Sequence, residues 1–176
     1  MMQKKKMIAV TPTLCTGCIQ CELVCSINKT GRASPLWSRI HIVKDFEKGS
    51  FLPIVCRQCN PAPCVDVCPE EAVKKSAETG AVSIDEDLCI QCNSCVSACP
   101  FGAITIAPDD SILVCDLCGG DPACVKFCKE RPENTCHYLS NPKASAIEYL
   151  EISVAPRTAW KPRLNRLSLR EHSGGE

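Results

Sequence analysis

The chain has 176 residues, of which 17 are cysteine, and its 20 basic and 20 acidic residues give a formal net charge of zero. This length suits one or two small domains, and the neutral balance lacks the basic face that nucleic-acid binding requires. No apolar run approaches the roughly 18 residues of a membrane span.

The residues available for an apolar core are few. The hydrophobic fraction of 45% includes the cysteines. Without them roughly a third of the chain is apolar, whereas globular domains have nearer half. We therefore expect bound inorganic groups to organise the interior, and the apo-protein to be largely unfolded, as in small metallodomains.

The first ten residues predict a cytoplasmic protein. A basic head at residues 4–6 precedes an apolar run of only four residues, which is too short for a signal peptide. Cytoplasmic thiols stay reduced, so free cysteines are expected. Export with a signal-bearing partner is the alternative that this observation leaves open.

Short β-rich segments are predicted between clusters of cysteines. A strand is expected over residues 7–13, and hairpins over 39–55, 72–84 and 102–114, where β-branched residues alternate on both sides of a turn. Residues 144–152 are predicted to form a short helix. From residue 154 the chain is polar and basic, with Trp160 among several arginines.

Sixteen cysteines fall into four quartets, each ending in C-x3-C. The third quartet, Cys89-x2-Cys92-x2-Cys95-x3-Cys99-Pro100, has the spacing of a bacterial ferredoxin, in which three thiolates bind one 4Fe–4S cluster and the fourth binds a neighbouring one. The first quartet lacks the proline, and the second and fourth have longer middle gaps. The sixteen residues are Cys15, Cys18, Cys21, Cys25, Cys56, Cys59, Cys64, Cys68, Cys89, Cys92, Cys95, Cys99, Cys115, Cys118, Cys124 and Cys128.

Zinc, disulfides and a catalytic cluster are the competing interpretations of these cysteines. Structural zinc prefers two C-x2-C pairs separated by a dozen or more residues, and an odd cysteine total without a signal peptide disfavours a disulfide scaffold. A catalytic cluster of the radical type would need C-x3-C-x2-C, and the residues at the third position are Asn28, Glu71, Gly102 and Arg131. Clusters capped by four thiolates favour electron transfer.

The crossed ligand rule leaves two pairings of the quartets open, one sequential and one nested. The second and third quartets both end in Cys-Pro and are joined by a ferredoxin-like hairpin, which favours nesting. The predicted fold is α+β, with two ferredoxin-like units of two clusters each, built from short hairpins and short helices. The inner unit covers residues 52–108, the outer unit 1–51 plus 109–140, and residues 141–176 form an extension that binds a partner or is disordered.

Residues 7–128 resemble the four-cluster ferredoxin subunits of multi-subunit oxidoreductases. The resemblance rests on Cys15-Thr-Gly-Cys18, Cys21-Glu-Leu-Val-Cys25, Cys56-Arg-Gln-Cys59, Pro63-Cys64-Val65, Cys68-Pro69, Cys99-Pro100-Phe101-Gly102-Ala103-Ile104 and Cys115-Asp116-Leu117-Cys118. It implies four 4Fe–4S clusters in nested pairing. The implied ligand sets are Cys15, Cys18, Cys21 and Cys128; Cys25, Cys115, Cys118 and Cys124; Cys56, Cys59, Cys64 and Cys99; and Cys68, Cys89, Cys92 and Cys95.

The same resemblance implies a subunit that is not an enzyme by itself. It would relay single electrons between a catalytic subunit of tungstopterin or molybdopterin type and a second redox subunit or soluble carrier, with higher-order assembly conceivable. The most similar branch serves tungsten aldehyde oxidoreductases. Carbon monoxide dehydrogenases, hydrogenases and formate dehydrogenases are the alternatives, and a zinc-stabilised interaction module is a distant one.

Two further expectations concern positions within the chain. The stretch 89–100 is expected in the middle of the relay, which leaves the outer quartets to meet the partners. Cys136, which belongs to no quartet, is expected to be a reduced structural thiol, and a spare cluster ligand is its alternative.

Overall fold

The computed structural model of the chain describes residues 5–130 and 146–152. It consists of short strands and helices joined by cysteine-bearing loops. The strands are β1 (Lys5–Val10), β2 (Ile40–Asp45), β3 (Ser50–Val55), β4 (Val73–Lys75), β5 (Val82–Ile84), β6 (Ile104–Ile106), β7 (Ile112–Val114) and β8 (Ile147–Ile152). The helices are α1 (Gln20–Thr30), α2 (Pro63–Asp66), α3 (Ser94–Ala98) and α4 (Ala123–Glu130), with 3-10 turns at Pro12–Leu14, Pro35–Trp37 and Leu117–Gly120. This architecture confirms the α+β class.

The three predicted hairpins are confirmed as the antiparallel pairs β2–β3, β4–β5 and β6–β7. In the longest of them, Ile40 lies opposite Val55, and both side chains are buried. The alternation of β-branched residues places one face of each strand inward, as the period of two requires.

A fourth strand pair, β1 with β8, was not predicted, and the helix expected over 144–152 is wrong where the structure describes it. Residues 147–152 run antiparallel to β1, with Val10 opposite Ile147 and Met7 opposite Leu150. Ile147 is 1% exposed, whereas Glu148 is exposed. A short apolar run cannot be assigned to helix or strand from its pattern alone, and here the partner strand decides.

Helix packing brings distant parts of the chain together. Helix α1 packs against α4, and α2 packs against α3. Helix α1 ends at Gly31, whose left-handed backbone lets its N–H donate to the carbonyl of Ile27. The beginning of the chain therefore lies beside the segment that ends at residue 130, and the two middle quartets lie beside each other.

Cysteine thiols form much of the interior. Aliphatic side chains from the strands, among them Ile8, Val82, Ile104 and Ile147, pack in one cluster with buried cysteines. The fully or nearly buried cysteines of this cluster are Cys25, Cys56, Cys64, Cys95, Cys115 and Cys124. Among the residues described, no helix has the length and apolar character of a membrane span.

Candidate metal centres

The four quartets share one backbone feature that the sequence did not predict. Two residues after the first cysteine of each quartet, φ is positive: +70° at Gly17, +51° at Gln58, +57° at Gln91 and +59° at Leu117. For a residue other than glycine, this conformation costs about 1–3 kcal/mol. Turns of this kind present backbone N–H groups to a concavity that attracts anionic groups, so all four loops are shaped to receive one.

Four thiols line a small, open cavity. They belong to Cys15, Cys18, Cys21 and Cys128, so the first quartet meets the last cysteine of the fourth. Ile42 of β2, Pro53 of β3 and Ile147 of β8 complete the wall. The aromatic ring of Phe51 lies over Gly17, where an added Cβ would be 2.6 Å from the ring. Three strands thus contribute to the lining of this cavity.

A second small cavity is lined by the thiols of Cys68, Cys89, Cys92 and Cys95. Here the last cysteine of the second quartet meets the first three of the third. Cys92 is exposed. Its Sγ lies 3.3 Å from the hydroxyl of Ser94, and hydrogen bonding with that side chain lowers the pKa of the thiol.

Cys56 is surrounded by three other thiols in the interior. Burial, with a smaller contribution from the neighbouring sulfurs of Cys59, Cys64 and Cys99, raises the pKa of Cys56 to about 12 despite a hydrogen bond from the Gln58 N–H. The Cys99 Sγ also accepts a hydrogen bond from the N–H of Ala103 at 3.4 Å. These four thiols again combine three members of one quartet with the last member of another.

The remaining cysteines gather around Cys124. Burial raises its pKa well above the ordinary value, and neighbouring thiols add to the effect. Those thiols are Cys115, Cys25, Cys21 and Cys118, in decreasing order. The Arg39 N–H donates a hydrogen bond to Cys25 Sγ at 3.3 Å.

Three electrostatic contacts connect these sets of thiols. Cys21 interacts with Cys124, Cys56 with Cys115, and Cys64 with Cys95. Taken in turn, the contacts arrange the sets in a row that begins at the cavity of Cys15 and finishes at the cavity of Cys92. Residues 89–100 were expected in the middle of this row; Cys99 lies there, beside Cys56, whereas Cys89, Cys92 and Cys95 belong to the last set.

Gln58 connects the two middle sets of thiols through hydrogen bonds of its side chain. The sequence analysis did not predict this role. Its side chain is 4% exposed. The Gln58 Nε2 donates to the carbonyl of Cys115 at 2.7 Å, and Oε1 accepts from the Val82 N–H at 2.7 Å. One amide therefore ties the second quartet to β5 and to the fourth quartet. The only sequence signal was its position inside a C-x2-C loop.

Asp116 provides a second connection. Its Oδ2 accepts from Lys29 Nζ at 2.7 Å and lies 3.4 Å from Arg39 Nη1. Burial acts to raise the pKa of Asp116, but these cations and the Cys118 N–H hold it below its ordinary value. The fourth quartet is thereby fastened to α1 and to the residue before β2.

The donor chemistry of these sites fits iron–sulfur clusters. Such clusters are held by cysteine thiolates, with N–H groups and apolar surroundings that tune the site, and they supply one-electron transfer when bound. Among the described residues, no three His, Cys, Asp or Glu side chains converge as the ligands of a single metal ion. The fold and the thiol-lined sites define a ferredoxin-like iron–sulfur protein.

Comparison with known proteins identifies the family. Residues 47–137 match the 4Fe-4S dicluster domain, and the chain belongs to that family. It is 43% identical over 129 residues to the polyferredoxin-like subunit of an aliphatic sulfonate oxidoreductase from Pyrococcus furiosus, covering 73% of this chain and 74% of the relative. It is 42% identical over 128 residues to an uncharacterised ferredoxin of Methanocaldococcus jannaschii, covering 72% and 69%.

A solved structure is similar at a greater distance. The active-site complex BamBC of benzoyl coenzyme A reductase aligns with 22% identity and a TM-score of 0.47, covering 88% of this chain and 83% of that one. The family membership establishes an iron–sulfur electron-transfer protein, and the prediction that the chain is not an enzyme by itself is confirmed. Cys136 and the tail from residue 153 lie outside the described residues, so the expectations for them stay predictions.

Proposed function

We propose that the chain is a relay subunit that holds four 4Fe–4S clusters and passes single electrons between a catalytic oxidoreductase subunit and a second redox partner. The observation that carries this proposal is the row of four thiol sets, each in electrostatic contact with the next. A row with two ends suits transfer from one partner to another.

We further propose nested pairing, with the four ligand sets that the family resemblance implies. Three observations support it. One cavity joins Cys128 to the first quartet, and another joins Cys68 to the third. Cys99 lies near Cys56, whereas the first three cysteines of its own quartet line the second cavity. The packing of α1 on α4 and of α2 on α3 agrees with an outer unit, residues 1–51 plus 109–140, and an inner unit, residues 52–108.

The chain itself does two things for such a relay. The four positive-φ loops and the N–H donors to Cys25 and Cys99 hold thiolates in place around each site. Aliphatic residues such as Val55, Val82 and Ile104 keep water away from the inner sites, and solvent access is one of the factors that set the potential of a cluster.

For the catalytic partner, we propose a subunit of tungstopterin or molybdopterin type, of which the aldehyde oxidoreductases are the resembled example. The relative named as a subunit of an aliphatic sulfonate oxidoreductase supports a catalytic oxidoreductase as partner and points to another substrate. Subunits of carbon monoxide dehydrogenase, hydrogenase or formate dehydrogenase type are the alternatives. We propose the cytoplasm as the compartment.

Metal analysis tests the cluster proposal directly. Anaerobically purified protein is expected to contain about sixteen irons and an equal amount of acid-labile sulfide per chain, four per cluster. Exposure to air should bleach and unfold it. Zinc in place of iron, with a fold that survives air, would support the zinc-stabilised module instead.

The partner is tested separately. The chain is isolated with an affinity tag from its native cells under anaerobic conditions, and tungsten and molybdenum are measured in the isolated complex. About one tungsten or molybdenum per chain is expected. A stable complex with nickel and neither of these metals would favour the carbon monoxide dehydrogenase or hydrogenase alternative.

A further inference from the structure

The surface around Cys92 carries exposed apolar side chains. Val67, Leu88 and Ile90 are 42%, 46% and 61% exposed. Each is within two residues of a cysteine that lines the second cavity, and Ile90 lines that cavity itself. Exposed apolar side chains gathered at one functional site are typical of an interaction surface.

The same surface carries acidic residues. Asp66, Glu70, Glu71, Glu86 and Asp87 are all exposed. Within the part of the chain that the structure describes, none of the five forms an ion pair, whereas Asp85 pairs with Lys74 at 3.0 Å. Residues 60–100 contain seven acidic and two basic residues, so a chain of zero net charge is strongly negative here.

The apolar and acidic residues share one side of the molecule. The Asp85 N–H donates to the Ala72 carbonyl at 2.8 Å, which brings residues 86–88 beside residues 70–71. Glu70 lines the second cavity together with Ile90 and interacts electrostatically with Cys92. The apolar side chains thus lie next to the exposed thiol, with carboxylates around them.

We propose that this surface, the Cys92 face (Asp66, Val67, Glu70, Glu71, Glu86, Asp87, Leu88, Ile90 and Cys92), docks a redox protein whose own contact surface is apolar and bordered by basic residues. The proposal rests on the proposed relay function, and it identifies the end of the row at which electrons pass to a partner. Acidic residues attract a basic partner and speed its encounter, and the apolar centre excludes water once contact is made.

The other end of the row also carries exposed apolar side chains, Phe127 beside Cys128 and Val43 and Phe46 of the β2–β3 hairpin, but its charges differ. There Ile42 of β2, Pro53 of β3 and Ile147 of β8 line the cavity beside the thiols, and the β2–β3 turn carries Lys44, Asp45, Glu47 and Lys48, which balance in charge. Charge complementarity therefore directs a basic carrier to the Cys92 face.

The test uses the full-length holoprotein and cytochrome c, a basic haem protein, as the probe. Reduced holoprotein is mixed with ferric cytochrome c, and haem reduction is followed by stopped flow. Each haem gains one electron and the iron–sulfur protein loses one. The double variant Glu86→Lys/Asp87→Lys is expected to lower the second-order rate constant about tenfold at low ionic strength, and the difference should shrink as salt is added.

Matched variants control for net charge and for apolar area. Glu47→Lys/Glu148→Lys makes the same charge change at exposed residues away from the Cys92 face, and we expect less than about a twofold effect at low salt, since steering is local. Leu88→Gln should slow the reaction more than Val43→Gln at high salt, where steering is screened. Both residues are exposed.

Three results would overturn the docking proposal. The control charge pair could slow the reaction as much as Glu86→Lys/Asp87→Lys. The wild-type protein could form a dimer in sedimentation that this variant dissociates, which would assign the face to a second copy of the chain. Arg163→Glu/Arg166→Glu could speed the reaction, which would show that the basic tail of the same chain occupies the face.

Iron content and the electron paramagnetic resonance signal of the reduced protein separate this proposal from the relay itself. A wild-type protein without clusters contradicts the proposed function. If the protein has its full iron content and can be reduced, but the Glu86→Lys/Asp87→Lys variant reduces cytochrome c as fast as wild type, only the docking proposal is contradicted.

Discussion

The two ends of the row of thiols are built from similar cysteine motifs, yet they meet the solvent differently. The Cys15 cavity is lined by residues of three strands, with the Phe51 ring against Gly17, and its four cysteines are half-buried. The cavity of Cys92 has an exposed thiol, three exposed apolar neighbours and a border of carboxylates. The regular spacing of the third quartet therefore does not predict the solvent exposure of its cysteines. That exposure depends on the segments that pack against each loop.

The largest effect is expected from breaking the row in its middle. Cys99→Ala removes a proposed ligand of the site at Cys56, Cys59 and Cys64, and we expect about four of sixteen irons to be lost. Spectroscopic signals of the exposed end should persist. Iron analysis and electron paramagnetic resonance measure both quantities.

The control for this experiment is Ser97→Ala, an exposed position two residues before Cys99, which should keep all irons. Selective loss of the site held by Cys89, Cys92 and Cys95 in the Cys99→Ala protein would contradict nested pairing.

The next effect concerns Gln58, which connects the second quartet to the fourth and to β5. Gln58→Leu leaves the Cys115 carbonyl and the Val82 N–H without their partner, and each buried unsatisfied group costs about 1–3 kcal/mol. The denaturation midpoint of the anaerobic holoprotein should fall, and the magnetic interaction between reduced centres in the middle of the row should change. Gln91→Leu, at the equivalent exposed position of the third quartet, is the matched control and should change neither.

A smaller effect is expected at the Cys15 end of the row. Gly17→Ala places a Cβ 2.6 Å from the Phe51 ring at a φ of +70°, and the backbone strain alone costs about 1–2 kcal/mol. The rate at which iron–sulfur absorbance disappears in denaturant should rise.

Gly49→Ala separates strain from the clash with Phe51. Gly49 also has a positive φ, +60°, but nothing lies within 4 Å of an added Cβ. Its variant should be affected less than Gly17→Ala. Equal effects would show that the packing of Phe51 against Gly17 contributes nothing to stability.

The smallest effect is expected at Asp116. Asp116→Asn weakens the interactions with Lys29 and Arg39, which are partly exposed, so we expect a loss of about 1 kcal/mol. Chemical denaturation in urea at low and at high salt checks this value, because the difference from wild type should shrink as salt rises. Asp121→Asn, whose exposed carboxylate pairs with Lys126, should show almost no loss.

The sequence predicted those features that depend on neighbours along the chain. The cysteine spacing identified the four quartets, and alternation of β-branched residues identified the hairpins, because both patterns are local. The strand at 147–152 was missed since its partner, β1, is more than 130 residues away. The bonds of Gln58 left no local signal, because their partners are distant in the sequence. The positive φ values at Gln91 and Leu117 were missed because these residue types do not favour that conformation. The exposure of Cys92 likewise depends on which segments fold over the loop.

The ladder between β1 and β8 has a consequence for biosynthesis. The wall of the first cavity includes Cys15 from the start of the chain, Cys128, and Ile147 of the strand that closes onto β1. A chain emerges from the ribosome with its N-terminus first. Cys128, which lines the same cavity as the first quartet, is therefore made more than a hundred residues after Cys15. The segment 52–108 has all its own cysteines much earlier. Under the nested pairing proposed above, we expect maturation to proceed from the interior of the sequence outward. A chain that stops before residue 147 lacks one of the residues that line this cavity.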